Sequence, residues 1–308
     1  MDIDLITNIM FATLRTGTPL ILIALGEMVC EKSGVLNLGQ EGMLLMGAVV
    51  GFMFAVITGN TWVGMAAAMI AGMLMSGLFG LLAITLVANQ VATGLALTIF
   101  GIGLSAFLGT NYVGMGIDGI GPLLLPLLSD IPLIGKVLFS HDPIVYISWI
   151  CFAAIYWMFR KSRAGLVIRA VGENPESANA IGMPVMKVRY AAVLFGGMMT
   201  GLAGGYLSLS YTPLWTEGMS AGRGWIALAL VVFASWRAER VMLGAYLFGL
   251  ASIMHLILQG LGFDISPNLL AMLPYLATII VLMIIASDTM KSKLNTPLAL
   301  GQPYRPQI

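Results

Sequence analysis

Between Gly26 and Gly42 the chain reads GEMVCEKSGVLNLGQEG, which sets Glu27, Glu31, Lys32 and Glu41 between two long apolar runs. Carboxylates placed so can carry protons, pair with cations or accept hydrogen bonds from backbone N–H groups. Each charge would cost about 2.5 to 3.5 kcal/mol at the centre of a bilayer, so these side chains must face protein, water or the interface. Glu27 and Glu31 stand four residues apart, as do Asn37 and Glu41, with Gln40 alongside, and Ser33-Gly34 between the pairs is a helix-breaking step. Two half-helices meeting at a turn are expected, and at membrane depth irregular backbone is tolerated only where it lines a cavity or packs inside a bundle. An ordinary connection with solvated charges is the simpler alternative. Glu27, Glu31, Asn37, Gln40 and Glu41 are therefore candidates for a pathway or a polar hinge.

Two further polar groups extend that set. In YTPLWTEGMSAGRG (Tyr211 to Gly224), Trp215, Glu217 and Arg223 would serve as a translocation mouth or an external docking surface, although aromatics at such a level are commonly interfacial anchors. His255 and Gln259, one helical turn apart, would face a polar path or satisfy each other across helices.

Machinery for bond-breaking chemistry is missing from the sequence. There is no G-x-x-x-x-G-K-[ST] phosphate loop and no H-E-x-x-H pair. Cys30 and Cys151 lack metal-ligand spacing, and the two histidines are far apart, which disfavours a membrane enzyme. No catalytic group, metal or cofactor is expected in this chain, and a net charge of +1 argues against a nucleic-acid partner.

The elements that must position these residues are membrane helices. Of 308 residues 59% are hydrophobic and 9% charged, with a mean hydropathy of +0.94, where soluble domains carry about 25% charged residues. With a ruler of about 20 apolar residues per crossing, nine segments emerge: Leu5–Leu25, Met43–Thr58, Trp62–Ala88, Val91–Gly109, Ile144–Phe159, Tyr190–Tyr211, Trp225–Trp236, Val241–Gly260 and Leu269–Ser287. A crossing or re-entrant helix within the Pro-rich stretch Gly121 to Phe139 would make ten. The class is all-α, a polytopic transmembrane helical bundle of about nine or ten membrane helices forming one domain over residues 1–308. Gly47 and Gly51, and Gly197, Gly201 and Gly205, carry the small-residue spacing of close helix crossings. The acidic start, Met1-Asp2-Ile3-Asp4, is not that of a cleavable signal peptide.

Six of the 15 Lys and Arg residues (Arg160, Lys161, Arg163, Arg169, Lys187 and Arg189) fall in the loop 160–189, which the positive-inside rule places in the cytoplasm. The loop 110–143 then lies outside, as does the N-terminus, and the C-terminus lies inside. Within the basic loop, Asn174 suits an N-cap, Pro175 the first helical position, Glu176 the positive end of the dipole, and Gly182 followed by Pro184 the stop. About two turns fit, too short a helix to stand alone in water. Its small apolar face of Ala178 and Ile181, flanked by Val185, suits a partner's groove or the membrane surface equally well.

The segment GENPESANAIGM resembles the coupling-helix region of permease subunits in ATP-binding-cassette importers, in the family serving simple sugars, nucleosides and branched-chain amino acids. GEMVCEKSGVLNLGQEGMLLMGA and YTPLWTEGMSAGRGWIALALVVFA resemble its nucleoside-type branch. The resemblance implies a multi-pass subunit in a prokaryotic plasma membrane (the bacterial inner membrane) that translocates a small polar solute. It assigns ATPase coupling to Asn174, Pro175, Glu176, Ala178, Ile181 and Gly182. It also implies a second permease, homologous or identical, two cytoplasmic subunits that use ATP and Mg, and an external substrate-binding protein. A nucleoside is the expected solute, a simple sugar the second choice; an ion-coupled secondary transporter using Glu27, Glu31 or Glu41 is the rival from another class.

Overall fold

The computed structural model describes residues 3–124, 134–260 and 295–305, with single positions at 126, 128, 129, 131, 272, 276, 279, 280 and 283. The expected span Leu269–Ser287 and the side chains of His255 and Gln259 lie outside the described residues.

The described chain is helical, with no strand and one isolated antiparallel bridge between Gly116 and Leu214. In order run α1 (Ile3–Lys32), α2 (Gln40–Thr58), α3 (Thr61–Gly80, extended by a π-turn Leu81–Thr85), α4 (Gln90–Gly109), α5 (Ile134–Phe139), α6 (Pro143–Lys161), α7 (Arg163–Glu173), α8 (Pro175–Ala180), α9 (Val185–Tyr206, extended by a π-turn Leu207–Tyr211), α10 (Arg223–Phe233) and α11 (Ala238–Gly260). Six of them (α1, α2, α3, α4, α6 and α9) are long and apolar enough to cross a membrane. Among the described residues, the stretch after Gly121 contributes only the six-residue α5, too short for a tenth crossing.

Side chains are sorted by partner. The apolar stretch of α9 is 83% buried and that of α6 only 22%, so α9 is the central post and α6 faces outward. Small residues make the central crossings possible: a Cβ at Gly47 of α2 would stand 2.7 Å from the Gly201 Cα of α9, so the two backbones touch there. α2 and α9 run in the same direction and in step, with Gln40 beside Thr200 and the Ala48 carbonyl accepting from Ser208 Oγ at 2.8 Å. α1 runs the opposite way, Gly26 against Gly196 at one level and the Arg15 carbonyl accepting from Tyr206 Oη at 3.1 Å at another.

This register locates the break that the sequence predicts. Thr200 lies about 22 Å along α9 from Val185 at 1.5 Å per residue, well inside a run of 27 residues. α2 therefore starts at mid-depth. Residues 33–39 reach that level in non-helical form along α4: Leu36 N donates to Gln90 Oε1 at 2.8 Å, and the Leu38 carbonyl accepts from Thr98 Oγ1 at 2.9 Å, about 12 Å further along the helix.

A second break changes the expected span Trp225–Trp236. Its helix, α10, has 11 residues, about 16 Å, half of a hydrocarbon core of about 30 Å. α10 begins at mid-depth beside Glu41 and ends at the level of Glu31. The preceding segment, Thr212 to Gly222, supplies the other half of the crossing as irregular chain. Ala221 (φ 48°) at one end of α10, and Ser235 (φ 50°) and Trp236 (φ 54°) at the other, adopt left-handed backbone that residues with a Cβ rarely accept.

The basic loop and the C-terminal segment share one end of the bundle. Ala299 N donates to the Gly172 carbonyl (2.9 Å), Gly301 N to the Gly34 carbonyl (3.2 Å), and Lys32 Nζ to the Asn295 carbonyl (2.8 Å). Residues 295–305 thus strap α7 to the turn after α1.

Candidate functional site

At mid-depth the polar residues of the early stretch form one connected cluster. Glu27 Oε1 accepts from Asn37 N at 3.0 Å and Oε2 from Gln40 Nε2; Gln40 Oε1 accepts from Thr200 Oγ1. Asn37 Oδ1 accepts from Gly39 N at 2.9 Å, closing the turn on itself. Glu27, Glu31, Asn37, Gln40 and Glu41 are all buried. Among the described residues none of the three carboxylates has a salt bridge; N–H and O–H donors satisfy them.

Glu41 has a distinct task. Its Oε1 accepts from Ser220 Oγ (2.5 Å) and Gly222 N (2.9 Å), and its Oε2 from Gly224 N (2.7 Å). The N-terminus of a helix exposes unpaired N–H groups and the positive end of its dipole, both of which a carboxylate meets. Glu41 is thus an external cap for α10, supplied from the first turn of α2. At the other end of α10, Trp236 Nε1 donates to Glu31 Oε2. The half-helix is held at both ends by carboxylates from the stretch Gly26 to Gly42.

The second polar group divides. Trp215 is fully buried under Gly109, where a Cβ would overlap the indole, and Trp215 Nε1 has no hydrogen-bond partner. Glu217 is exposed on the irregular chain before α10. Arg223 lies over the Tyr211 ring, 5.7 Å from its centroid.

In the basic loop the caps fall where the residue types predict. Asn174 Oδ1 accepts from Ser177 N at 2.9 Å, Pro175 takes the first helical position, and Gly182 (φ 84°) ends the turn with its N donating to the Asn179 carbonyl at 2.9 Å. The expected pair of Ala178 and Ile181 separates, because six residues make fewer than two turns. Ala178 is buried in a small core with Val171 of α7, Val185 of α9 and Tyr304 of the C-terminal strap. Ile181 is 72% exposed, with Glu176 and Asn179 also at the surface. α8 is therefore riveted to α7, α9 and the strap through Ala178 and presents Ile181 outward. Arg189, buried in α9, reinforces the joint: its guanidinium lies 5.6 Å from the Tyr304 ring centroid and Nη1 donates to the Gln302 carbonyl at 3.4 Å.

Two features escape the sequence reading. The C-terminal strap is one, since nothing in its composition marks a contact with Gly34 or Gly172. The other is an aromatic and charged knot at the far end of the bundle. Asp142 caps α6, its Oδ1 accepting from Ile144 N (3.1 Å), and Arg15 Nε stands 3.8 Å from its Oδ2. His141 stacks on Phe11 with ring centroids 4.5 Å apart. The Asp142-Pro143 pair was a readable cap followed by a first-turn proline.

A multi-pass helical bundle with two broken crossings and a capped helix riveted to the basic end is the architecture of a membrane permease component; the G-x-S-x-G letters at Gly218 to Gly222 form no free nucleophile, since Ser220 Oγ donates to Glu41. The chain matches the family described as "Branched-chain amino acid transport system / permease component" over residues 9–285 and belongs to it. It is 40% identical to the "Putative glucose ABC transporter permease protein TsgC13" of Haloferax volcanii, covering 96% of this chain and 97% of the relative. It is also 34% identical to the guanosine ABC transporter permease protein NupQ of Bacillus subtilis (99% and 98% covered) and 32% identical to the nucleoside ABC transporter permease protein NupC of Lactococcus lactis (86% and 88%). No solved structure matches.

Proposed function

We propose that this chain is the membrane-spanning subunit of an ABC importer for nucleosides. It receives its solute from an external binding protein and is driven by two cytoplasmic ATPase subunits that use ATP and Mg. The observation that carries the ATPase docking is the shape of α8: a capped helix fixed from behind by Ala178 and showing Ile181 in front. An exposed apolar knob on a rigid mount transmits force, whereas a knob on a loose loop dissipates it. Asn174, Pro175, Glu176 and Gly182 set the mount's geometry.

The route inward follows the packing. α8 is joined to the first turn of α9, α9 carries Thr200, and Thr200 holds Gln40 at the break before α2. Glu41 then ties that break to α10. Closure of the ATPase pair would tilt α9 and shift the two broken crossings together, a rigid-body change between inward-open and outward-open states. Glu27, Glu31, Asn37, Gln40 and Glu41 serve as the hinge in this scheme, and the exposed Glu217 stands at the outer approach to it. A second permease, homologous or identical, would complete the path, with the 160–189 loop and the C-terminus in the cytoplasm of a prokaryotic cell.

Nucleosides are favoured by the NupQ and NupC likenesses together with the early and late sequence blocks; the likeness to TsgC13 makes glucose the second reading. Uptake by the complete transporter in proteoliposomes separates them. Guanosine uptake that needs ATP and is unaffected by unlabelled glucose supports the proposal. Glucose uptake under the same conditions would replace the substrate, and uptake that persists without ATP but collapses with an ion gradient would replace the mechanism.

A further inference from the structure

At the basic end of the bundle a cavity of about 240 Å³ opens between α1, α6, α7 and the turn after α10. Four cations line it: Lys32, Arg160, Arg169 and Arg237. Among the described residues Glu239 is the only carboxylate in its wall, and it is occupied by Arg237 (2.9 Å) and Arg160 (3.4 Å). Glu31 lies behind the wall with its carboxylate turned to Trp236 Nε1, and Glu173 neighbours Lys32 from α7. Such an excess of fixed positive charge in a concave site calls for an anion. Arg guanidinium forks are suited to phosphate oxygens, which they meet with paired N–H donors.

The walls between the cations are aromatic. Tyr156 lies under the Arg160 guanidinium, 4.5 Å from ring centroid to Cζ, and Phe159 and Trp236 continue the surface. α6, which contributes Tyr156, Phe159 and Arg160, is the most outward-facing of the six long spans, with Ile150 and Trp157 exposed on its outer face. The cavity thus sits where a lipid-facing helix reaches the basic end of the bundle, the level at which basic pockets between membrane helices take anionic headgroups.

We infer that the cavity formed by Lys32, Arg160, Arg169 and Arg237 binds a phosphate-bearing anion, with the headgroup of an anionic phospholipid as its source. Its walls belong to α1, α6, α7 and the turn after α10, so the ligand would brace the ends of both broken crossings against α6. A free phosphate shares the chemistry, and the test distinguishes the two.

The full-length protein in mild detergent is titrated with phosphatidylglycerol, phosphatidylcholine or inorganic phosphate, reading melting temperature and bound lipid by native mass spectrometry. Phosphatidylglycerol is expected to bind at about one per chain and raise the melting temperature, with phosphatidylcholine at least tenfold weaker. The Arg160→Gln/Arg169→Gln variant should lose at least tenfold in affinity, and Arg160→Lys/Arg169→Lys should keep most of it. A shift produced by inorganic phosphate alone upholds the phosphate site and assigns it to a soluble ligand. Equal binding of both lipids with no phosphate effect overturns the inference, as does unchanged phosphatidylglycerol binding in the Gln variant. Loss of co-purifying ATPase in the Gln variant with no anion response would also overturn it, making the cavity a protein-docking surface.

Discussion

The mid-membrane hinge and the basic-end loop solve opposite problems with the same residue types. At mid-depth the break is buried, and its carboxylates are consumed by it: Glu41 caps α10 with three accepted bonds, and Glu27 holds Asn37 and Gln40. In the basic loop water is available, and the chain keeps Glu176, Asn179 and Ile181 at the surface while burying only Ala178. A carboxylate in the first region is structural wiring, and one in the second is free for a partner. Depth, more than residue type, decides whether a polar residue is an internal joint or a contact.

The contrast is sharpest at Glu41. Glu41→Leu leaves two backbone N–H groups and one hydroxyl without an acceptor in a place that water does not reach, at about 1 to 3 kcal/mol for each group. It should be the most damaging single change, seen as loss of a folded peak in size-exclusion chromatography, while Asp118→Leu in the far-end loop is tolerated. Equal tolerance at both positions would reduce the hinge to an ordinary loop. Ala178→Arg comes next. The buried methyl sits against Val171, Val185 and Tyr304, so a long cation there should break the loop's small core. A drop of several degrees in melting temperature is expected, together with loss of co-purifying ATPase.

Thr200→Val is smaller. The swap preserves shape and removes the donor to Gln40, about 1 kcal/mol. If α9 relays motion through that contact, ATP hydrolysis should continue while uptake falls severalfold; proportional loss of both would place the relay elsewhere. Weakest is a pH effect at the far end. Burial holds His141 below the ordinary imidazole range and outweighs the opposing pull of the Val137 carbonyl, 2.7 Å from its Nε2; its Nδ1 is buried without a partner. A base whose folded pKa is lowered contributes full stability above its unfolded value, about 6.5, and loses it as pH falls below that value. Melting temperature should therefore decline from pH 7 to 5.5, and His141→Phe should flatten the decline.

The legible parts of this molecule are local. Asn174, Pro175 and Gly182 specify α8 because caps and stops act within one turn, and long apolar runs specify α1, α3 and α4 because a membrane demands length. What the residues from Gly26 to Gly42 announce is a break, through Ser33-Gly34 and the spacing of the polar pairs. Its partners were not readable: Ser220, Gly222 and Gly224 are some 180 residues away, and nothing near Glu41 specifies them. The half-length of α10 was hidden for a related reason, since Trp225 to Trp236 is apolar whether it fills the membrane or half of it. Ala178 and Ile181 read as one face because both are apolar, and packing with Val171, Val185 and the strap's Tyr304 decides which is covered.

The claim that α8 receives the ATPase rests on Ile181 being surface and Ala178 being core, and Ile181→Glu tests it most directly. The change adds a charge where the side chain is already 72% exposed, so the melting temperature of the permease should stay within about 1 °C of wild type. Co-purification of the ATPase subunits from the assembled transporter should fall at least tenfold, and uptake with it. Full retention of both, in a permease of unchanged stability, would contradict the account.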